Sequence, residues 1–107
     1  MYKDKTNYRV GQALWFENEE VRVWHILLFP GEEMPFHTHI CNYFWTSISD
    51  GTAISIYDSG ETKTVEYHKG DTVYYNALQN GPFTHNLKNI GPTPLEFVTT
   101  EFVKLHK

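Results

Sequence analysis

Short runs of β-branched and aromatic residues alternate with turn signals along most of the chain. Pro-Gly, Asp-Gly, Ser-Gly and Lys-Gly-Asp sequences close these runs, and turns about 8 to 12 residues apart are typical of all-β sandwiches and barrels. No window shows an apolar period of 3.6 over a helical length. The pattern therefore predicts an all-β fold with strands at 21–29, 43–49, 52–57, 62–68, 72–75 and 95–105.

The predicted strands extend to the end of the chain without a linker or an internal repeat. A length of 107 residues fits one compact domain, so we expect a single domain over residues 1–107. Residues 7–16 fit a strand or an irregular arm, and they carry apolar Val10 and Trp15. We therefore expect residues 1–17 to form an N-terminal arm that packs on the barrel.

His37 and His39 are two residues apart in a segment that suits a strand. Residues i and i+2 of a strand face the same side, so both imidazoles can point into a barrel interior. A His-x-His pair taken alone is more often a surface or capping pair. The surrounding spacing is what turns the pair into a candidate metal site.

That spacing resembles the two sequence motifs of the cupin superfamily. The first motif has a glycine, five residues and His-x-His, followed at a distance by a second glycine. The second motif begins with glycine and ends in His-x-x-x-Asn. The matching residues here are Gly31, His37, His39, Gly51, Gly70, His85 and Asn89. The resemblance implies a double-stranded β-helix, or jelly-roll cupin barrel, in which His37, His39 and His85 bind one metal ion.

Two departures from the motifs bear on this implied site. Tyr43 and Phe44 occupy the place of the metal-binding glutamate of the family. The second motif is four residues longer before its histidine, with Asn76 in place of a proline, and we expect the extra length in the loop-like stretch 78–81. His85 is therefore assigned from the end of its motif only.

A closer resemblance is to short bacterial cupins, some of which are assigned to β-alanine degradation. The shared stretches read Asn-Glu-Glu-Val-Arg-Val-Trp at 18–24 and His-Thr-His-Ile-Cys-Asn-Tyr at 37–43. In that group a tyrosine also replaces the glutamate. The resemblance leaves the substrate undefined.

Three neutral imidazoles leave a divalent ion its full charge and at least one open position, which is typical of catalytic metal sites. Imidazole suits iron, zinc, manganese, nickel and copper, so the metal stays open among these. We expect a small anionic ligand, and Tyr43 as a catalytic polar group beside the metal. Cys41 or one of Glu32 and Glu33 is the alternative complement to the histidines.

Charge and composition exclude several partners. The net charge is −4 without a basic block, so neither nucleic acid nor an anionic membrane is expected. One cysteine and an N-terminus without an apolar core favour a cytoplasmic protein. The aromatic content and the N-terminal arm favour a homodimer. The expected function is a metal-dependent oxygenase, isomerase or lyase; the alternatives are a non-catalytic binding or sensing cupin and a barrel without metal.

Overall fold

The structure is a computed structural model that describes residues 5–104, and strands dominate it. The described elements are β1 (Ala13–Glu17), β2 (Val21–Leu28), β3 (Glu33–His39), β4 (Asn42–Ser47), β5 (Gly51–Ile56), β6 (Thr62–Tyr67), β7 (Thr72–Tyr75), α1 (Ala77–Asn80), β8 (Phe83–Asn89) and β9 (Leu95–Phe102). The all-β prediction is confirmed. All six runs named from the sequence are strands, and β1, β3 and β8 complete the set of nine strands among the described residues.

Two antiparallel sheets face each other. One has the strand order β1-β2-β9-β4-β7 and the other the order β3-β8-β5-β6. Alternate residues of β2 and β9 are buried, which is the period of two expected for sheets with one face on a core. The core between the sheets consists of Ile26, Leu28, Met34, Ala53, Tyr67, Leu87, Leu95 and Phe97.

Turn residues of the two cupin-like motifs meet at one end of the barrel. The Gly31 N–H donates to the carbonyl of Asn89 at 2.9 Å, and Gly31 has a φ of 86°, which favours glycine. The fully buried Asn89 amide donates to the carbonyls of Leu28 and Thr93. Asn89 therefore fixes the turn after β8.

The four extra residues before His85 form a turn of helix outside the sheets. The Asn76 side chain accepts the N–H of Gln79 and caps α1, and the N–H of Leu78 donates to Asn42 Oδ1. A single helical turn absorbs the additional length, so the strand that follows keeps its place in the sheet. α1, with four residues, is the helix that the structure describes within residues 5–104. It is too short to span a membrane.

Residues 5–7 run along the free edge of β3, and the residues that follow lie against β2. The N–H of Thr38 donates to the Asn7 carbonyl at 2.7 Å, and Asn7 Nδ2 donates to the Phe36 carbonyl. Val10 is buried, and the Arg9 guanidinium lies 5.0 Å from the centre of the Trp24 ring. These contacts cover an edge strand that would otherwise present unpaired backbone groups. Residues 1–4 of the predicted arm lie outside the described residues.

Candidate metal centre

The three predicted histidines come from two neighbouring strands. His37 and His39 lie on β3, and His85 lies opposite His37 on β8. The register of β3 shifts between Met34 and His37, where one extra residue forms a β-bulge. Met34 and His37 are three residues apart and would face opposite sides of a regular strand. The bulge therefore allows both side chains to face the barrel interior.

The bulge also orients the first histidine. His37 Nδ1 lies 2.9 Å from the carbonyl oxygen of Pro35, which can only accept a hydrogen bond. The proton of a neutral His37 is therefore on Nδ1, and the lone pair of Nε2 faces the other two rings. Orientation of a ligand imidazole by a backbone carbonyl is usual in metal sites.

The ring nitrogens of the cluster are close enough to share an ion. His39 Nε2 and His85 Nε2 are 3.2 Å apart, and one ligand atom from each of the three rings lies within 4.8 Å of the others. Imidazole nitrogens bind zinc at about 2.0–2.1 Å, which places two such nitrogens roughly 3.0–3.4 Å apart in octahedral or tetrahedral geometry. The His39–His85 separation fits this range.

Burial keeps the imidazoles neutral. His37 and His39 are each only 3% exposed, and His85 is partly exposed. Burial lowers the pKa of all three rings, to about 3 for His85, and the neighbouring imidazoles lower the pKa of His39 and His85 further. Near neutral pH the cluster therefore offers lone pairs without first losing protons.

Two ring nitrogens in the cluster have no protein partner. Among residues 5–104, the buried Nδ1 atoms of His39 and His85 make no hydrogen bond. A buried polar atom without a partner costs about 1–3 kcal/mol. An ion held at the facing Nε2 atoms would not pair these Nδ1 atoms. The three residues fit a metal because three neutral imidazoles each bring one nitrogen within 4.8 Å of the others.

Tyr43 lies directly against this cluster. Its ring stacks on His39 with a centroid distance of 4.1 Å and an interplanar angle of 18°. Burial, and the charges of neighbouring tyrosines and Glu101, raise the pKa of its hydroxyl. Tyr43 is therefore a neutral hydroxyl near neutral pH, able to donate or accept a hydrogen bond. Its catalytic role stays a prediction.

The other candidate ligands are engaged elsewhere. Glu32 Oε1 accepts the N–H of Phe29, and Glu33 Oε2 accepts from the amide of Asn86. Cys41 follows β3 in the bend before β4, and burial raises the pKa of its thiol. Among the described residues, the three histidines form the only group of at least three histidine, cysteine or acidic side chains with metal-binding spacing.

A small cavity lies on one side of the cluster and a wider mouth on the other. The inner cavity of about 60 Å³ is mostly apolar and includes Val10, Ile26, Leu87 and Phe97 in its wall. The mouth measures about 470 Å³. Both spaces share Tyr43, Trp45, Tyr67 and His85 in their walls. All three histidines line the inner cavity, and His85 also lines the mouth.

Several residues of the mouth were not singled out from the sequence. Phe83 lies two residues before His85 on β8 and stacks near His39 at 4.9 Å between centroids. Tyr57 follows β5, forms a backbone bridge with His85 and stacks on its ring at 5.2 Å. Strand parity with His85 could have identified Phe83. The position of Tyr57 depends on the pairing of β5 with β8, which no local pattern predicts.

Comparison with known proteins supports the fold through solved structures. No known family profile and no curated sequence matches the chain. A cupin domain protein from Bordetella pertussis is 21% identical, with a TM-score of 0.75 over 92% of this chain and 98% of that one. An RmlC-like double-stranded β-helix protein from Methanocaldococcus jannaschii is 23% identical, with a TM-score of 0.64 over 95% of this chain and 91% of that one.

A third similar structure is a sugar phosphate isomerase of the cupin superfamily from Silicibacter pomeroyi. It is 19% identical, with a TM-score of 0.56 over 78% of this chain and 50% of that one. A lyase and an oxalate decarboxylase also match in fold. These likenesses leave the link to β-alanine degradation a prediction. The strand order, the paired sheets and these structures together show that the chain has the double-stranded β-helix fold of these cupin proteins.

Proposed function

We propose that this cupin binds one divalent transition metal through His37, His39 and His85 and acts on a small anionic metabolite. The observation that carries the proposal is the convergence of three neutral imidazoles, two buried and one partly exposed toward the mouth. One ligand nitrogen of each ring lies within 4.8 Å of the others, and such a convergence of neutral imidazole nitrogens is the usual basis of a transition-metal site. Iron, zinc, manganese, nickel and copper all suit this donor set.

The charge of the site favours an anion. A divalent ion held by neutral ligands keeps its full charge, polarises bound oxygen atoms and lowers the pKa of bound water. The walls of the inner cavity are mostly apolar, so this charge is poorly screened by the protein. A carboxylate or thiolate therefore binds more strongly than a neutral sugar.

The reaction we propose is of the oxygenase, isomerase or lyase type, with Tyr43 at the reacting ligand. Matching cupins include an isomerase, a lyase and a decarboxylase, so this fold supports such chemistry in other chains. The Tyr43 hydroxyl is neutral and borders both the inner cavity and the mouth. It would hold a bound anion by hydrogen bonding, and its raised pKa makes it a poor general base.

Metal analysis of protein purified without chelator tests the proposal. We expect about one divalent ion per chain in the wild type and in His68→Ala, because the His68 side chain is exposed. Loss of the metal is expected in His37→Ala, His39→Ala and His85→Ala. Wild-type protein that binds none of the five metals, even after incubation with each, would indicate the metal-free barrel.

A binding or sensing cupin is the second candidate. Among residues 5–104, no carboxylate lines the inner cavity, so the chamber offers no acidic general base. Turnover of thiols and carboxylates in air, with oxygen uptake recorded, separates the two candidates. Tight binding of an anion without turnover across such a panel would favour the binding module.

We also propose that the partner of this chain is a second copy, which packs on the outer face of the five-stranded sheet. Outward positions on β2, β4 and β9 carry Val23, Leu27, Phe44, Val98 and Phe102. An antiparallel sheet face exposed to water normally carries polar residues there. Five strands of up to eight residues present about 600 Å², close to the roughly 800 Å² that each partner buries in a stable dimer.

Sedimentation equilibrium tests this interface. We expect a dimer for the wild type and a monomer for Val98→Glu, because Val98 lies in the middle of the face between His25 and Thr46 and a charge there opposes burial. Val65→Glu on β6, exposed on the other sheet, is the control that keeps the dimer. A monomeric wild type at the highest soluble concentration would refute the second copy as partner.

A further inference from the structure

One lysine stands at the mouth above the histidine cluster. Lys63 on β6 pairs with Ser55 and shares the inward face of its strand with Val65 and Tyr67. Its ammonium nitrogen lies 5.4 Å from the centre of the Tyr57 ring. That distance is within the usual range for a cation over an aromatic face.

Tyr57 connects this lysine to the cluster. The Tyr57 ring stacks on the imidazole of His85, with 5.2 Å between centroids and 27° between planes. Ammonium, phenol ring and imidazole therefore follow one another down the wall of the mouth. The distance from Lys63 Nζ to the centre of the His85 ring is at most the sum of the lysine–Tyr57 and Tyr57–His85 distances. A short ligand can span that interval.

The charge of Lys63 is not neutralised by a neighbouring acid. Among residues 5–104, no carboxylate lies within ion-pair distance of its ammonium. Asp71 is the other charged residue in the wall of the mouth, and its carboxylate accepts the N–H of His68 at 2.9 Å. Asp71 is thus engaged in its own turn, while the ammonium of Lys63 is available to a ligand.

We propose that Lys63 binds a second anionic group of the ligand, so that the site selects small dianions over monoanions. This inference rests on the proposed function, because the first anionic group must be held at the histidine cluster. The ligand class is a short dicarboxylate, or a chain of similar length with two anionic ends. The other explanation is that Lys63 is solvated and only its aliphatic stem covers Tyr57. In that case a second anionic group on the ligand would not strengthen binding.

The two explanations separate in a binding experiment with probes matched in length. Protein loaded with Co(II) is titrated with glutarate and with pentanoate, which has the same five carbons but one carboxylate. Lys63→Met should weaken glutarate binding about fivefold at low salt, the factor expected for a partly exposed ion pair, and leave pentanoate nearly unchanged. Added salt should reduce the difference.

Two further variants complete the experiment. Lys63→Arg should retain the preference for glutarate. Lys69→Met removes the same charge from a turn outside the wall of the mouth, so it should bind both probes like the wild type. Each variant is first compared with the wild type by thermal melting and Co(II) content.

Every result is decisive for one of the two proposals or for both. Equal weakening of both probes in Lys63→Met, or no weakening of either, overturns the role of Lys63 and leaves the metal site intact. Co(II) uptake without binding of either carboxylate overturns the anionic ligand and, with it, this inference. Failure to take up Co(II) overturns the metal site on which both depend.

Discussion

The stability of metal-free protein below neutral pH tests the burial of the histidine cluster. Burial and the neighbouring His37 lower the pKa of His85 from the ordinary 6.5 to about 3. The same ring titrates near 6.5 in the unfolded chain. Between these two values the unfolded state binds a proton that the folded state does not. The free energy of unfolding therefore falls as the pH drops below 6.5, and this loss levels off only below about 3.

The size of the effect follows from the pKa difference. When the pH is lowered from 7 to 5, about 1.5 pH units of the change lie below the pKa of the unfolded state. At 1.36 kcal/mol per unit, the free energy of unfolding falls by about 2 kcal/mol. Because His85 is partly exposed toward the mouth, this value is an upper limit for that residue. His37 and His39 also have lowered pKa values and act in the same direction.

Urea unfolding in the presence of a chelator measures this difference. Wild type and His85→Gln are compared at pH 7 and pH 5, with the exposed His68→Gln as control. We expect His85→Gln to lose about 1–2 kcal/mol less than the wild type between the two pH values, and His68→Gln to match the wild type. Identical losses in the wild type and His85→Gln would refute the burial of a neutral His85.

Three further substitutions test other parts of the molecule. Gly51→Ala should destabilise the fold by about 1–3 kcal/mol in urea unfolding, because a Cβ at this position would lie 2.4 Å from Leu95 Cδ2. Asn89→Ala should cost about 2–4 kcal/mol in the same assay, because the buried amide holds two backbone carbonyls and one N–H. Tyr43→Phe should retain metal content by elemental analysis but weaken carboxylate binding in calorimetry, since only the hydroxyl is removed.

The strands whose apolar runs alternate with turn sequences were predictable from the sequence. The pairing between these strands was not. Runs of β-branched and aromatic residues, four of them closed by glycine turns, predicted six strands near their observed bounds. β8 was missed because its inward face mixes apolar Phe83 and Leu87 with polar His85 and Asn89, while its other face is polar and yet largely buried. Its outer residue Thr84 is buried against Thr38, whose hydroxyl lies 2.7 Å away. When both faces of a strand are covered, apolar and polar residues do not alternate along it with a period of two.

His85 lies beside the other two histidines although the sequence spacing was weakest at this position. The motif before His85 is four residues longer than in the resembling family, yet His85 still faces His37 across the pair of strands. The reason is local, since α1 takes up the extra length as a capped helical turn between β7 and β8. An insertion that closes on itself between strands leaves their register unchanged, whereas an insertion within β8 would have moved His85 to another level.

A regular β3 would turn the histidines out of the barrel, so the bulge at Pro35 decides whether the site exists. Met34 is buried in the core, and by parity alone His37 and His39 would face the opposite side. Pro35 lacks an N–H and suits a position where the ladder is interrupted. Its carbonyl then accepts from His37 Nδ1. Pro35 therefore has two roles. It suits the interrupted ladder of the bulge, and its carbonyl fixes the His37 ring that the bulge turns inward.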